Sequence, residues 1–412
     1  LLGYPGSVAA TWQQAGRAGR RQGASVAVLV ANSTPLNQFI AKNPDYFFDS
    51  PIEQGRINPD NLQILVNHVK CAAFELPLDP AETFGGENLA EILQFLEEQR
   101  LLHRSGGRFH WTSESYPADA VSLRSVSSDN FVVQDVTREP RIIAEVDYDS
   151  APSMVHEKAV YILEGRTYFV EKYDHQERRA HVREAEVDYY TDAIVSTKVR
   201  ILDLFLSEPA GQAVRNHGEV HVTSQVVGFK KIKFHTNENV GAGELKMPEN
   251  EMHTTSYWLT VPRGVMATLP YGTEERRDGV VALSYALGQL AALFLMCDRH
   301  DLGVAVGDNG QGEATVERGW TPRRPTAELA VADGGPALPY EPNIFLYDNY
   351  PGGIGLSEPL YRLHDRLLGE AHALIASCAC RDGCPSCVGP VGEVGSRGKE
   401  VALAILDAIL AH

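Results

Sequence analysis

Three polar side chains near the start of the chain stand at offsets that matter chemically. In the segment QQAGRAGR, Gln13, Arg17 and Arg20 are separated by four and three residues. On a helix these offsets place all three on one face. Guanidinium groups on such a face are suited to stabilising charge that develops on a transferred phosphoryl group. A plainer reading is a solvated basic helix end, because Arg near a helix C-terminus is favoured by the dipole. Near the other end, four of the six cysteines are packed into CACRDGCPSC, as Cys378, Cys380, Cys384 and Cys387. This short spacing lets four thiolates converge on one tetrahedral Zn²⁺. Four protein thiolates leave no open coordination position, so the expected role is structural: the metal would pin the flanking helices together. An iron–sulfur cluster also fits the cysteine count, and both metals stay open here. Disulfides are disfavoured because nothing marks the chain as secreted. Cys71 and Cys297 lie in apolar runs and read as small core residues.

A third group is cationic. In FKKIKFH, Lys230, Lys231 and Lys233 interleave with aromatic residues. On a strand, Lys231 and Lys233 share one face and Lys230 takes the other. Phosphate attraction and base stacking make this a candidate DNA contact, with a solvated strand face as the competing reading. Arg323 and Arg324 form a smaller basic pair in a Pro-flanked segment. The segment YPGGIG follows an apolar run and precedes a helical one, as a phosphate-cradling loop would. It lacks the GxGxxG pattern and a following Lys, so we read a structural turn whose glycines adopt positive φ. Asp348 beside it is a candidate functional carboxylate with no partner visible in the sequence. His217, His221, His364 and His372 lack a partner set for a second metal.

These groups need elements to hold them. Pro5-Gly6-Ser7 reads as a turn with Ser7 as N-cap, and Gly23 as a C-terminal stop. The helix between would carry Gln13, Arg17 and Arg20, and SVAVLVA would follow as a strand. Residues 1–57 are thus expected to close an α/β domain. Residues 58–118 show helical spacing, with Leu89, Ile92, Leu93 and Leu96 on one stripe. A two-glycine turn in RSGGRFHWT follows, so a winged-helix-like domain is expected. Residues 119–270 are β-rich, with Glu164-Gly165-Arg166 as a tight hairpin connection. A helical stretch at 198–206 is expected to separate two β groups of a small barrel or twisted sheet. Residues 271–412 would form the C-terminal α/β zinc-binding domain. It begins with a long apolar helix and contains a surface loop at 308–342. It then runs through the strand NIFLYD, the YPGGIG turn, a helix, the cysteine block and a closing helix. The fold class is α+β and multidomain.

The 412 residues suffice for several cores. The apolar stretch 280–297 approaches membrane-spanning length, but Ser284, Gly288 and Gln289 interrupt it and Asp278 and Asp298 flank it. With a mean hydropathy of −0.21, it reads as a buried core helix, and no membrane partner is expected. The formal net charge is −17, from 54 acidic and 37 basic residues. Global charge therefore gives no attraction to nucleic acid, and local basic grooves would have to supply the grip.

Several segments together carry a resemblance. QQAGRAGR meets every fixed position of the Gln-x-x-Gly-Arg-x-Gly-Arg pattern of motif VI in superfamily 2 helicases. With GYPG before it, EVDYYTDA in mid-chain, YDNYPGGIGLSE and GCPSCVGP, the chain resembles the MrfA/YprA family of DEAD/DEAH-box DNA helicases. These are similar to fungal Hrq-type helicases. The resemblance implies that residues 1–57 end a second RecA-like domain, with Gln13, Arg17 and Arg20 facing ATP phosphates and Arg17 and Arg20 as arginine fingers. It implies a structural zinc on Cys378, Cys380, Cys384 and Cys387. It further implies an ATP- and Mg²⁺-dependent 3′→5′ helicase that acts in repair on single-stranded or 3′-tailed DNA, in the cytoplasm. No G-x-x-x-x-G-K-[ST] loop and no DEAD or DEAH box occurs in the 412 residues. The expectation is a C-terminal part that works with upstream motor domains and does not hydrolyse ATP alone. The alternative is a non-catalytic module that recruits a repair protein partner.

Overall fold

The computed structural model describes residues 1–19, 23–49, 51–53, 58, 61–84, 89–121, 130–236, 238–308, 314–318 and 340–411. Arg20, Arg323, Arg324 and most of the expected surface loop 308–342 lie outside these residues. The chain is mixed α+β and divides into two compact units. One comprises residues 1–56, 197–223 and 251–412; the other comprises 57–196 and 224–250. The stretch read as one β-rich region, 119–270, is thus shared between them.

In the second unit, the helices Leu62–Glu75 and Leu89–Glu98 precede the hairpin Leu102–Ser105 and Arg108–Trp111. Leu89, Ile92, Leu93 and Leu96 are all buried, with Leu65, Val69 and Phe109 as their counterparts. The expected stripe is therefore a core face. Gly106 and Gly107 both take positive φ in the hairpin turn, a conformation open to glycine. Beyond this lies a five-stranded sheet in the order Arg141–Asp147, Asn130–Asp135, Arg179–Glu184, Arg166–Asp174, Val160–Leu163. Its neighbours are antiparallel except the parallel pair Asn130–Asp135 and Arg179–Glu184. Phe131, Val133, Val170 and Val182 fill its core. Leu163 pairs with Arg166 across Glu164 and Gly165, both at positive φ. This is the expected tight hairpin, closed by a two-residue turn.

A further sheet runs in the order Leu302–Asp308, Pro342–Asp348, Glu249–Thr260, Ala213–Lys233, Tyr189–Ala210, Ala314–Arg318 among the described residues; residues 189–196, 224–233 and 249–250 of its strands belong to the second unit and the rest to the first. All of Pro342–Asp348 is buried, as its continuous apolar run predicts for a central strand. Alternate side chains enter opposite cores. Ile344 and Leu346 join the core built on the helices Thr273–Leu295, His364–Ser377 and Gly398–Leu410. Phe345 and Tyr347 join Trp258, Val199, Val220 and Val222. Thr273–Leu295 is the buried core helix that the sequence predicted, with Val280, Leu283, Leu287 and Leu290 inside. Gly288 lets it approach the sheet, because a Cβ there would stand 2.7 Å from Val304.

Two local expectations are corrected. Residues 198–206 are not helical; they lie within the strand Tyr189–Ala210. A turn at Gly211, with φ +61, leads straight into the next strand, and sheet pairing outweighs a helical pattern that short. The helix opened by Ser7 does not reach Gly23 but runs only from Val8 to Ala15.

Candidate functional site

The four cysteines converge. Their Sγ atoms all lie within 4.8 Å of one another. Cys378 and Cys384 are 3.6 Å apart, Cys380 and Cys387 3.5 Å, and Cys384 and Cys387 3.8 Å. A Zn–S bond of about 2.3 Å implies a tetrahedral S···S edge of about 3.8 Å. The spacing therefore fits one tetrahedral ion. It fits a multi-iron cluster less well, because there the four thiolates are divided among two or four irons. Local backbone chemistry builds the loop. Cys378 caps the C-terminal end of His364–Ser377. The amides of Cys387 and Gly389 donate to the Cys384 carbonyl at 3.0 and 3.1 Å. The Tyr285 hydroxyl, from the central helix, donates to the Pro385 carbonyl at 3.0 Å. Cys387 and Val388 are fully buried in the large core, so the loop is anchored by packing as well as by its ligands.

Burial pushes the Cys378 thiol up, but hydrogen bonds from the Cys380 amide and the neighbouring thiols outweigh this and hold it at about 7. Burial pushes Cys380 and Cys387 up. One thiolate thus forms readily near neutral pH, and a bound cation would draw the others into the same state.

Sequence reasoning missed Lys399. It is 8% exposed, and its Nζ donates to the carbonyl of Cys378 at 2.6 Å and of Cys380 at 2.7 Å. Nothing in GKEVALAILDAIL distinguishes this lysine from a solvated helix residue. The second turn of the cysteine loop and the closing helix bring it there.

The arginine motif is placed differently from the sequence expectation. The Ser7 side chain accepts the Ala10 amide at 3.0 Å, as an N-cap should. The Glu53 carboxylate, also unforeseen, accepts the amides of Val8 and, at 2.8 Å, of Ala9. Gly16 then ends the helix as its C-cap, and Gly19 turns with φ +69. Two glycines in four residues make further helix costly. Only Gln13 stands on the helix; Arg17 lies in the turn beyond it, and Arg20 lies outside the described residues. Gln13 and Arg17 therefore do not share one helix, contrary to the sequence expectation. Gln13 and Arg17 are both exposed. The segment SVAVLVA forms a single parallel bridge, Leu2 with Val30. Val26, Val28 and Val30 remain exposed.

The lysine strand is also more occupied than its sequence implied. Lys231 Nζ sits 5.0 Å from the Tyr189 ring centroid, and Lys233 lies 3.7 Å from Asp188. Phe229 is 2% exposed and packs against His156. It is thus not presented for base stacking. Lys230, Lys231 and Lys233 lie on a partly exposed strand.

The glycine-rich turn is structural in its hydrogen bonding. Asp348 is fully buried, and its Oδ2 accepts the amides of Ile354, Gly355 and Leu356 at 2.7, 2.9 and 3.0 Å. The donors that would cradle a phosphate are already directed at a carboxylate of the preceding strand. Burial pushes Asp348 up, against the pull of these amides. The histidines are individually accounted for. His364 Nδ1 meets the buried Tyr257 hydroxyl at 2.7 Å, His217 Nε2 meets Ser357 Oγ at 3.3 Å, and His372 pairs with Asp407 at 2.9 Å. His221 lies 3.4 Å from Glu251.

Comparison with known proteins agrees with this arrangement. Residues 283–388 match the family MZB, the MrfA Zn-binding domain, and this range contains all four cysteines. Residues 57–126 match the winged helix domain of the ATP-dependent helicase HRQ1. The chain is 41% identical over 409 residues to the ATP-dependent helicase YprA of Bacillus subtilis, covering 99% of this chain and 51% of YprA. It is 27% identical to the ATP-dependent helicase hrq1 of Schizosaccharomyces pombe, over 94% of this chain and 35% of that protein. A crystal structure of the DUF1998 helicase MrfA bound to DNA matches with a TM-score of 0.59 and 41% identity, covering 98% of this chain and 50% of that one. A MrfA structure with DNA and AMPPNP matches with a TM-score of 0.53 and 39% identity, covering 98% of this chain and 49% of that one. The chain spans about half the length of YprA and of the MrfA chains. Over that half it is similar to the MrfA/YprA-type helicases, with matches to the Hrq1 winged helix domain and the MrfA zinc-binding domain.

Proposed function

We propose that this chain is part of an ATP-dependent DNA helicase and serves it as a DNA-guiding platform held at one end by a structural zinc. The observation that carries this reading is 41% identity over 99% of the chain to a helicase. Zinc would be held by Cys378, Cys380, Cys384 and Cys387, with no open position for substrate. When bound it supplies a cross-link rather than a Lewis acid. Lys399 holds two ligand-loop carbonyls in place, and Tyr285 holds a third. Arg17, exposed beyond its capped helix, would act with Gln13 and Arg20 on the phosphates of ATP and Mg²⁺ bound to other motor domains. The 3′→5′ polarity, the repair role and the cytoplasmic setting belong to the same proposal.

The test is Arg17→Ala in the intact helicase. An arginine finger contributes about 10³-fold or more in turnover, so DNA-stimulated ATP hydrolysis should fall by at least that factor. Zinc content and DNA binding should be kept. Unchanged turnover would refute the assignment. A net charge of −17 favours a second reading, a protein-recruiting module that touches no DNA. Fluorescence anisotropy of this chain with single-stranded, duplex and 3′-tailed DNA separates the two. Salt-sensitive binding supports the platform, and no binding at low salt supports the recruiting module.

A further inference from the structure

The winged-helix domain separates its charges between two elements. The helix Leu89–Glu98 carries Glu91, Glu97 and Glu98 and no basic residue. The stretch that follows, 100–112, carries Arg100, Arg104, Arg108, His103 and His110 and no acidic residue. In a chain of net charge −17 this is a local reversal of sign. Helix-turn-helix proteins place the second helix of a pair in the major groove. Here that helix would bring three carboxylates towards phosphates, so the helix is the wrong element to meet DNA.

The hairpin Leu102–Ser105 and Arg108–Trp111 presents its cations at the tip. Leu102 pairs with Trp111 and Arg104 with Phe109, so these four share one face. Leu102 and Phe109 are buried there, and the Arg104 guanidinium lies 5.6 Å from the centre of the Phe109 ring. His103 pairs with His110 and Ser105 with Arg108 on the opposite face. Arg104 and Arg108 are both exposed, and they leave opposite faces on either side of Gly106 and Gly107. A Cβ added at either glycine would meet nothing within 4 Å, so the tip is bare and open. Among the described residues neither arginine forms an ion pair; the nearby Glu97 carboxylate accepts the Arg104 amide at 3.2 Å. Phe109 is buried and Trp111 packs against the same core, so the hairpin offers no free ring on which an unpaired base could stack.

We infer that this hairpin binds the sugar–phosphate backbone of duplex DNA through Arg104 and Arg108, with the glycine tip at the minor groove. The inference rests on the reading that the chain is a DNA platform. It assigns the contact to the hairpin, not to the helix before it and not to Lys230, Lys231 and Lys233. A minor groove about 6 Å wide admits a turn that has no side chains. Arginine suits phosphate oxygens and the negative potential of a narrow groove. Such backbone contacts position the duplex without reading its sequence.

The experiment compares the whole chain with its Arg104→Gln/Arg108→Gln variant, both checked for equal zinc content and far-UV circular dichroism. Binding to a labelled blunt duplex and to a labelled single strand is measured across a salt series. Loss of two phosphate contacts on a duplex should lower the slope of log K against log salt by about 1.8, with duplex affinity down about tenfold or more at low salt. Single-strand binding should stay near the wild-type value. If the double variant does not fold, the exposed Arg108→Gln alone carries the test, with a slope change of about 0.9. An unchanged duplex slope and affinity overturns the inference and leaves the platform reading standing. So does wild-type binding to the single strand alone, or an equal loss on both substrates. No binding of the wild type to either DNA at low salt overturns both the inference and the platform reading.

Discussion

Lys399→Met tests whether a buried lysine secures the metal centre. The lysine is 8% exposed and donates to the carbonyls of Cys378 and Cys380 at 2.6 and 2.7 Å. These carbonyls belong to the first two thiolate residues. The ammonium therefore fixes the backbone that aims those thiolates, and it lies beside a centre whose four thiolates and one Zn²⁺ would carry two negative charges. Methionine keeps most of the apolar stem and removes the charge and both hydrogen bonds. Each bond to a charged donor is worth about 1.5–3 kcal/mol. Water entering at the partly open site would recover some of this, so a net cost of about 3 kcal/mol is expected. Loop ordering is coupled to metal binding. The apparent zinc affinity should then fall about 100-fold or more, because 1.4 kcal/mol corresponds to about tenfold. Competition with a chromophoric zinc chelator reads this directly, with Cys384→Ser as the variant that should not retain zinc. Wild-type zinc affinity in Lys399→Met, with the chain folded, would show that packing of Cys387 and Val388 alone positions the ligands.

Three further outcomes follow from the same structure. Leu93→Ala, at a side chain 0% exposed between the helices of the winged-helix core, should cost about 2–5 kcal/mol in chemical denaturation and leave zinc content unchanged. Burial lowers His364 to about 4. Its contribution is present above the ordinary value near 6.5 and is lost as pH falls from there towards 4, by up to about 3 kcal/mol; a His364→Gln chain whose stability falls as steeply as wild type over this window would contradict it. Asp348→Ala leaves the amides of Ile354, Gly355 and Leu356 without their acceptor and should cost about 3 kcal/mol or more. Asp348→Asn keeps an acceptor. Because burial raises the Asp348 carboxyl, its contribution is full at acid pH and lost as pH rises through the raised value. The Asn variant should therefore gain stability relative to wild type as pH increases, and the opposite trend would refute the buried-charge account.

Some of this molecule is legible in short segments because the controlling physics is local. The C-x-C-x3-C-x2-C spacing restricts four thiols to a small loop, and they do converge. The stripe Leu89, Ile92, Leu93 and Leu96 needs only helical periodicity to be recognised as a core face. Glu164-Gly165 can take positive φ at both positions, and this alone makes a two-residue hairpin. Ser7 caps a helix because its side chain reaches an amide three residues on.

Tertiary structure decided the rest, wherever a residue's partner is remote in sequence or two local tendencies compete. Periodicity at 198–206 fitted a helix, but pairing with Ala213–Lys233 made it strand. Two glycines ended the helix that carries Gln13 at Ala15, which left Arg17 in the turn beyond it. Glu53 reached the start of that helix from more than forty residues away. Lys399 became part of the cysteine centre from nineteen residues beyond Cys380. Residue types and short spacings thus determined which chemistries the chain can support, since ligand sets, caps and turns are formed by neighbours. Which cations stand beside which anions was settled by burial and strand pairing, because charge acts through space and the chain's path decides which charges meet.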